Sequence, residues 1–287
     1  TSGISFVNFK KKNKSVKLRR NLESIINDKN EILNSLSKNY KDSYKKNLIN
    51  KYKAFSNYRI IGMGGSILGT RTIYEFLKHK IKKNFLFIDN LQNTLSQSKK
   101  KTVNIIVSKS GNTIETITNL NIIIKKNNKN IFVTENKKNY LYRLAENLKG
   151  EIVHHNNYIG GRYSVLSEVG MLPAELMGLK SKNFRQFNSL MKNKRFLNSL
   201  INNVGSILYY IKNQKFNSII INYDEKSESL FKWYQQLVAE SLGKKKKGLL
   251  PIVSNMPKDN HSVMQLYLDG FQNNFYTFFY VDEKKSK

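Results

Sequence analysis

The sequence contains no cysteine, only three prolines and no long unbroken apolar run. Without cysteine the chain cannot form disulfides or thiolate metal sites, which is compatible with a reducing cytoplasm. A membrane-spanning helix needs about 18 or more consecutive apolar residues, so no segment is a good candidate for one. The first segment, TSGISFVNFKKKNKSVKLRR (1–20), also lacks the apolar core and cleavage site of a signal peptide. We therefore expect a cytoplasmic protein without a membrane partner.

Acidic residues are scarce, because 20 Asp and Glu stand against 50 Lys and Arg and leave a formal net charge of +30. This charge would suit a nucleic-acid binder, which stays open as the less favoured alternative. Recognition of bases and phosphates favours clustered arginines, whereas here the basic residues are mostly lysines scattered from end to end. We therefore interpret the charge as a compositional bias that attracts anions, and we expect no specific nucleic-acid partner.

The apolar residues are arranged in a pattern that predicts the fold class. A hydrophobic content of 39%, with 16 Phe and 16 Tyr, is enough for a packed core. From residue 58 onward, short apolar segments alternate with segments of helical periodicity, which is typical of βαβ units and parallel sheets. The predicted strands are 58–62, 84–89, 103–108, 130–134, 151–155, 217–223 and 274–283, and the predicted helices of the second half are 184–214, 228–244 and 261–270.

This pattern predicts an α/β fold with two doubly wound domains of the αβα-sandwich type, each with a parallel sheet. The predicted division is a helical N-terminal extension (1–45), a first domain (46–182) and a second domain (183–287). The second domain is expected to be incomplete, because the sequence stops soon after its last predicted strand. The sequence also lacks an initiating Met, so we expect a fragment of a longer protein.

Two strand-to-helix turns are suited to holding an anion. They are GMGGSILG (62–69) and SKSGNTIET (108–116). Unpaired N–H groups at a helix N-terminus favour negative charge, glycine allows close backbone approach, and the serine and threonine hydroxyls add donors. Ser and Thr also cap ordinary helices, so one such turn would be weak evidence. Two of them, at the carboxyl ends of strands in one sheet, predict a site for a phosphorylated small molecule.

Five segments in order resemble the glucose-6-phosphate isomerase family, which is built from sugar-isomerase (SIS) domains. These segments are GMGGSILG (62–69), VSKSGNTIET (107–116), GGRYSVLSEVGMLPA (160–174), QQLVAESLGK (235–244) and NHSVMQLYLDG (260–270). The resemblance implies interconversion of glucose 6-phosphate and fructose 6-phosphate through a cis-enediolate, in glycolysis and gluconeogenesis. It implies no metal and no organic cofactor. It also implies a homodimer.

The resemblance also implies a role for each matching residue. Arg162 would stabilise the enediolate, and Glu240 would carry the proton between the two sugar carbons. His261 would assist ring opening and would reach the site from the partner subunit. The residues implied to bind the hexose 6-phosphate substrate are Gly65, Ser66, Ser108, Lys109, Ser110, Thr113 and Gln236.

The chemistry of these residue types fits the implied reaction. Moving a carbonyl between adjacent carbons needs a base, and a carboxylate suits this if partial burial raises its pKa. Glu240 stands among small and apolar residues in LVAESLG, so partial burial is expected. A guanidinium such as that of Arg162 suits the oxyanion that develops, and His261 can exchange protons near neutral pH.

Each of these residues also has an ordinary structural interpretation. Glu240 would then face solvent on an amphipathic helix, Arg162 would be a surface residue after a turn, and His261 would bond to the backbone at a helix start. His154 and His155 are adjacent and form no metal-ligand spacing with His79, so no metal site is expected.

One departure from the family concerns its C-terminal lysine, which also serves ring opening. The sequence ends at VDEKKSK, so the role is not assigned to Lys284, Lys285 or Lys287. A non-catalytic sugar-phosphate-binding SIS module therefore remains an alternative. Such a module would keep Ser108, Ser110 and Thr113 without needing Glu240.

Overall fold

A computed structural model describes residues 15–91, 101–124 and 128–282. The three terminal lysines considered above lie outside the described residues. The chain divides into two compact units, each described here by itself. The central unit is Asn34–Arg185, and the terminal unit consists of the described parts of Thr1–Leu33 and Gln186–Lys287.

Helices and strands alternate along most of the described chain. The α-helices are α1 (Ser15–Asn27), α2 (Glu31–Ser35), α3 (Lys46–Tyr52), α4 (Leu68–Phe76), α5 (Ile114–Ile123), α6 (Tyr140–Asn147), α7 (Glu168–Leu176), α8 (Phe187–Lys192), α9 (Lys194–Lys212), α10 (Glu228–Leu242) and α11 (Met264–Asp269). The strands are β1 (Asn57–Ile61), β2 (Asn84–Ile88), β3 (Thr102–Val107), β4 (Lys129–Glu135), β5 (Glu151–His155), β6 (Asn217–Asn222), β7 (Leu250–Asn255) and β8 (Asn274–Phe279).

The sheet of the central unit is parallel throughout, with the strand order β2-β1-β3-β4-β5. In its register Ile60 pairs with Phe87 on one side and with Ile105 on the other. The strand order reverses between β1 and β3, and an open α/β sheet binds its ligand at such a point. The turns that follow β1 and β3 are therefore neighbours at the carboxyl edge. This parallel α/β architecture confirms the predicted fold class.

Both faces of this sheet are buried under helices. On one face, Ile60 and Ile105 pack with Ile73 of α4 and Leu172 of α7. The opposite face is covered by α5 and α6, and its largest fully buried side chains are Ile61, Ile88, Ile106, Phe132, Leu120 and Leu141. Strands buried on both faces are apolar at successive positions, which is why they appear in the sequence as continuous apolar runs.

The terminal unit contains a second parallel sheet, with the order β7-β6-β8. Strand β7 is missing from the sequence-based prediction, because Pro251 interrupts its apolar pattern. Pro251 pairs with Ser218 on β6, and proline is tolerated in a strand at the edge of a sheet. The single helix predicted over 184–214 is in fact two, α8 and α9. The break falls at Asn193, whose side chain accepts a hydrogen bond from the N–H of Phe196 (3.0 Å) and caps α9.

The predicted N-terminal extension 1–45 is divided between the two units. Its helix α1 packs on α9, where Arg19 donates a hydrogen bond to Asn198 (2.7 Å). The residues after Leu33 belong to the central unit, and Asp42 there accepts two hydrogen bonds from Arg185. Residues 1–14 lie outside the described residues. Among the described helices, none combines the length and apolar character needed to cross a membrane.

Truncation of the buried Ile105 tests the importance of the central sheet. We expect Ile105→Ala to lower the free energy of unfolding by about 2–5 kcal/mol, because it leaves a cavity in the middle of the fully buried strand β3. Ile114, which is 76% exposed at the start of α5, provides the matched control. Urea unfolding should show a change of less than about 1 kcal/mol for Ile114→Ala. Equal losses in both variants would contradict this account.

Candidate active site

The first turn, residues 62–69, joins β1 to α4. Gly64 has a φ of 51°, in the left-handed region that favours glycine. A Cβ atom on Gly62 would lie 2.9 Å from the carbonyl oxygen of Val107, so glycine lets the turn pass close to the end of β3. Ser66 closes the 3₁₀ turn Gly64–Ser66 and is half-buried. Ser66 thus lies beside the carboxyl ends of β1 and β3.

The second turn, residues 108–116, follows β3 and is internally bonded. The hydroxyls of Ser108 and Thr113 lie 2.8 Å apart, and the Ser108 Oγ also accepts the N–H of Gly111 at 3.2 Å. Ser110 is exposed, and its Oγ accepts the N–H of Asn112 at 3.3 Å. This turn therefore presents hydroxyl and backbone groups at the start of α5.

A buried asparagine supports the second turn from behind. Asn139 caps α6 by accepting the N–H of Tyr142 (2.9 Å), and it donates to the Thr134 hydroxyl (2.8 Å). Gly111, with a φ of +67°, packs so tightly on it that a Cβ atom would lie 2.1 Å from the Asn139 Cγ. Sequence analysis missed Asn139, although an asparagine directly before the helical pattern YLYRLAEN is an N-cap signal.

The third segment, the 3₁₀ stretch Gly161–Leu166, carries Arg162 and is called the Arg162 segment. It packs directly on the first turn. A Cβ atom on Gly65 would lie 2.3 Å from the carbonyl carbon of Gly161 and 2.5 Å from the backbone nitrogen of Arg162. Ser164 bridges the two segments, because its Oγ donates to the carbonyl oxygens of Gly161 (2.7 Å) and Gly65 (3.4 Å). The half-buried Arg162 places its guanidinium over the ring of Tyr163, 4.5 Å from the centroid.

Lys109 joins the second turn to the third segment. Its Nζ donates a 2.6 Å hydrogen bond to the carbonyl oxygen of Asn157, in the loop that leads to Arg162. Within the central unit, the structure therefore brings together the predicted site residues of three separate sequence segments. These residues are Gly65, Ser66, Ser108, Lys109, Ser110, Thr113 and Arg162.

The loop before Arg162 rests on a buried polar cluster that sequence analysis did not identify. Glu168, the first residue of α7, accepts the N–H of Asn156 (2.6 Å) and the hydroxyl of Tyr40 (3.1 Å). Its Oε1 also lies 2.9 Å from Nδ1 of His155, the last residue of β5. Nε2 of the same ring lies 3.1 Å from the carbonyl oxygen of Ile159. His155 is 2% exposed and Glu168 is 1% exposed.

The surroundings of Glu168 favour its charged form. Burial by itself raises the pKa of Glu168, but hydrogen bonds from His155 and Asn156, with the charge of His155, bring it below its ordinary value. Burial and the neighbouring carboxylate raise the pKa of Tyr40 well above its ordinary value. Glu168 is therefore the acceptor of this cluster, and Tyr40 is a donor.

A second buried group holds the other end of the Arg162 segment. Arg185 donates to the carbonyl oxygen of Leu166 through Nε (3.0 Å) and Nη2 (2.8 Å). It also forms a two-pronged ion pair with Asp42, at 2.9 and 2.5 Å. Burial raises the pKa of Asp42 despite the opposing effect of Arg185. The 3₁₀ segment Gly161–Leu166 is thus held before its start by His155 and at its end by Arg185.

Three predicted site residues lie in the terminal unit. Glu240 is exposed in the last turn of α10, and its Oε2 accepts a hydrogen bond from Nε2 of Gln236 at 3.1 Å. The partial burial expected for Glu240 is therefore wrong for the single chain, because the side chain projects from the end of the helix. The predicted helix 261–270 is shorter than expected, and His261 is exposed in a turn three residues before α11.

The described residues include no group of three or more His, Asp or Glu side chains that could hold a metal ion. The absence of a metal cofactor stays a prediction.

Comparison with known proteins identifies the family. The family model described as phosphoglucose isomerase matches residues 21–250, most of the chain. The chain belongs to the phosphoglucose isomerase family. A glucose-6-phosphate isomerase of Methanocaldococcus jannaschii is 38% identical over 257 residues, which cover 82% of this chain and 63% of the relative. One of Campylobacter jejuni is 30% identical over 250 residues, covering 79% and 61%. The chain thus spans less than two thirds of these relatives.

Solved structures with the same fold include one that is titled a glucose-6-phosphate isomerase. A hypothetical protein of Thermus thermophilus has a TM-score of 0.73 and 23% identity, covering 92% of this chain and 69% of that one. A glucose-6-phosphate isomerase of Chlamydia trachomatis has a TM-score of 0.65 and 18% identity, covering 86% and 57%. At these identities the comparison supports the fold alone. The family predicted from the five segments is confirmed by the family model and the relatives.

The contact between the first turn and the Arg162 segment can be tested by adding a methyl group. We expect Gly65→Ala to lower the free energy of unfolding by about 1–3 kcal/mol, because the new Cβ would overlap the backbone of Gly161. Gly161→Ala is the matched control, since a Cβ there meets no atom within 4 Å. Thermal unfolding should separate the two variants, and equal melting temperatures would refute the described contact.

The lowered pKa of Glu168 predicts an acid-dependent loss of stability. The unfolded chain takes up the proton at a higher pH than the native protein does. The stabilisation is therefore complete above the unfolded pKa and is lost as pH falls through the lowered native value. We expect Glu168→Gln to be less stable at neutral pH and to lose less stability on acidification than wild type. Urea unfolding between about pH 3 and about pH 7 measures this dependence.

The control for this experiment is Glu146→Gln, which alters an exposed carboxylate on α6. It should keep the pH dependence of wild type. If Glu168→Gln also keeps the wild-type pH dependence, Glu168 does not stabilise the native state through its charge.

Proposed function

We propose that the protein carrying this chain interconverts glucose 6-phosphate and fructose 6-phosphate. Membership of the phosphoglucose isomerase family supports the reaction, as do relatives named for it at 38% and 30% identity. The observation that carries the proposal is the packing of the first turn on the Arg162 segment. This packing brings the glycine-rich first turn and the Arg162 cation to the same edge of the sheet as the hydroxyl-lined second turn, which supports an anion site there.

The sugar phosphate group is proposed to bind at the two turns that meet at the edge of the sheet. Backbone N–H groups at the starts of α4 and α5 favour an anion. The hydroxyls of Ser66, Ser110 and Thr113 would add hydrogen bonds, and Lys109 would add positive charge nearby. Gly65 contributes by allowing the close backbone approach on which this geometry depends.

Proton transfer is proposed to involve Glu240. Its carboxylate would take the proton from one sugar carbon and return it to the next, while Arg162 would stabilise the enediolate oxygen. The hydrogen bond from Gln236 would orient the carboxylate. Because Glu240 is exposed in the single chain, the desolvation that a base needs would come from bound substrate and the assembled protein.

The proposal also includes a homodimer, the absence of a cofactor and a cytoplasmic location. His261 would assist ring opening from the partner subunit of a homodimer, and its exposure in the single chain leaves it accessible for that role. The reaction would need no metal or organic cofactor, since proton transfer and oxyanion stabilisation are supplied by side chains. The protein would act in the cytoplasm, in glycolysis and gluconeogenesis.

The decisive variant is Glu240→Gln, assayed in the protein that carries this chain. We expect kcat for fructose 6-phosphate formation to fall by about 10²–10⁴-fold, with a smaller effect on KM, because the base is lost and the phosphate site stays. A coupled assay with glucose 6-phosphate measures both constants. Glu228→Gln on the same helix, about 18 Å away, should retain wild-type kinetics.

Other outcomes would support other functions. Unchanged activity in Glu240→Gln would exclude Glu240 as the base. Binding of glucose 6-phosphate without turnover by the wild-type protein would favour a non-catalytic SIS module. Tight binding of polyanions that weakens steeply with salt, together with no affinity for sugar phosphates, would favour the lysine-rich nucleic-acid binder.

A further inference from the structure

The imidazole ring of His155 has a hydrogen-bond acceptor at each nitrogen. Nδ1 lies 2.9 Å from Glu168 Oε1, and Nε2 lies 3.1 Å from the carbonyl oxygen of Ile159. A carbonyl oxygen can only accept, so Nε2 must carry a hydrogen for this contact to be favourable. A neutral ring would then have its lone pair at Nδ1, facing the carboxylate. Both contacts are satisfied when a second proton lies between the ring and the carboxylate.

The neighbouring groups favour keeping this second proton on the ring. Glu168 already accepts hydrogen bonds from the Asn156 N–H and the Tyr40 hydroxyl, which stabilise a carboxylate rather than a carboxylic acid. Burial of both partners leaves solvent unable to replace either bond. A buried imidazolium paired with a carboxylate has no net charge, and such a pair is stable when its geometry is complete.

The other charged groups near the pair are largely balanced by each other. Asp42, from the segment before α3, faces Glu168 and Tyr40 but is paired with Arg185. The carboxylate of Glu175 on α7 is a neighbouring charge of Asp42, and it accepts a hydrogen bond from Ser181 at 2.6 Å. His154, the preceding residue of β5, stacks against Tyr142 at 6.3 Å instead of facing Glu168. The proton on His155 is therefore the one whose loss would leave the pair with a net negative charge.

The bond from Nε2 acts on the loop that carries Arg162. The carbonyl of Ile159 belongs to the peptide group it shares with Gly160, so this hydrogen bond orients the peptide plane just before the Gly161–Arg162 segment. Ile159 is fully buried, and the next turn is closed by the Tyr163 N–H on the Gly160 carbonyl oxygen at 2.9 Å. Loss of the His155 bond would release the loop at the point where it enters the site.

We propose that His155 and Glu168 form a positioning pair that, while the ring carries both protons, holds the loop 156–161 and thereby places Arg162. The importance of Arg162 in this proposal rests on the proposed function. Neither residue of the pair touches substrate. If the ring does not donate to both oxygens, the loop loosens and binding of the sugar phosphate weakens.

The first test needs no activity and no variant. The chain has four histidines, so a protein labelled with ¹⁵N-histidine gives few ring signals, which His155→Gln assigns by loss of one set. We expect the buried ring of His155 to show two N–H protons at pH 7. A ring with a single N–H proton at pH 7 would overturn the proposal, whatever the protein catalyses.

The second test compares His155→Gln with His154→Gln, a neighbour on β5 that does not face Glu168. We expect amide hydrogen exchange in residues 157–162 to rise at least about tenfold in His155→Gln and to stay at the wild-type rate in His154→Gln. The dissociation constant for glucose 6-phosphate is measured by calorimetry at pH 7. His155→Gln should bind about tenfold more weakly than wild type, and His154→Gln should bind like wild type.

The two proposals fail in different ways. If His155→Gln exchanges and binds like wild type, the positioning pair is refuted. If His155→Gln exchanges faster and binds glucose 6-phosphate more weakly, but wild type forms no fructose 6-phosphate, the proposed function fails while the pair is supported. Glu168→Gln gives an independent check, because it should also raise exchange in residues 157–162 although His155 itself is retained.

Discussion

The close approach of two glycine-rich backbones is the constraint on which the candidate site depends. Gly65 of the first turn lies so near the backbone of Gly161 that a Cβ atom on Gly65 would lie 2.3 Å from the Gly161 carbonyl carbon. This contact fixes the Arg162 segment against the turn at the end of β1. The neighbouring strand β3 brings the hydroxyls of the second turn to the same edge of the sheet. The parallel sheet is needed because it alone aligns the carboxyl ends of both strands. The apolar helices on its two faces keep that edge rigid.

Among the described residues, the buried His155, Glu168 and Arg185 all lie around the segment that carries Arg162. A buried ion pair rarely adds much net stability, because desolvation offsets most of the attraction between its charges. The pairs His155–Glu168 and Arg185–Asp42 nevertheless both hold this segment through carbonyl oxygens, those of Ile159 and Leu166. Apolar residues of similar volume could fill the same space but could not orient a peptide plane. The arrangement therefore favours precise placement over stability, as the role proposed for Arg162 would require.

Sequence analysis could predict the parts of the structure that depend on local patterns. The strands of the central sheet are apolar runs because both of their faces are buried, and the two turns are recognisable from glycine and hydroxyl residues. The cluster around Glu168 could not be predicted in this way. Tyr40 is 128 residues from Glu168 in sequence, and no periodicity or turn preference connects them. Strand β7 was missed for a different reason, since its place at the sheet edge allows Pro251 there. The exposure of Glu240 likewise follows from its position at the end of α10, which a residue pattern does not fix.

The net charge of +30 has a different role from the organised charges of the site. Exposed lysines attract any anion, but at physiological ionic strength their fields fall off within about 8 Å. They can therefore raise the encounter rate of the proposed sugar-phosphate substrate without distinguishing it from other anions. Discrimination has to come from groups with fixed positions, such as the hydroxyls at the strand ends and the half-buried Arg162. Arginine is scarce in this chain, but Arg162 and Arg185 both lie where specific neighbours hold their rigid planar cations in place.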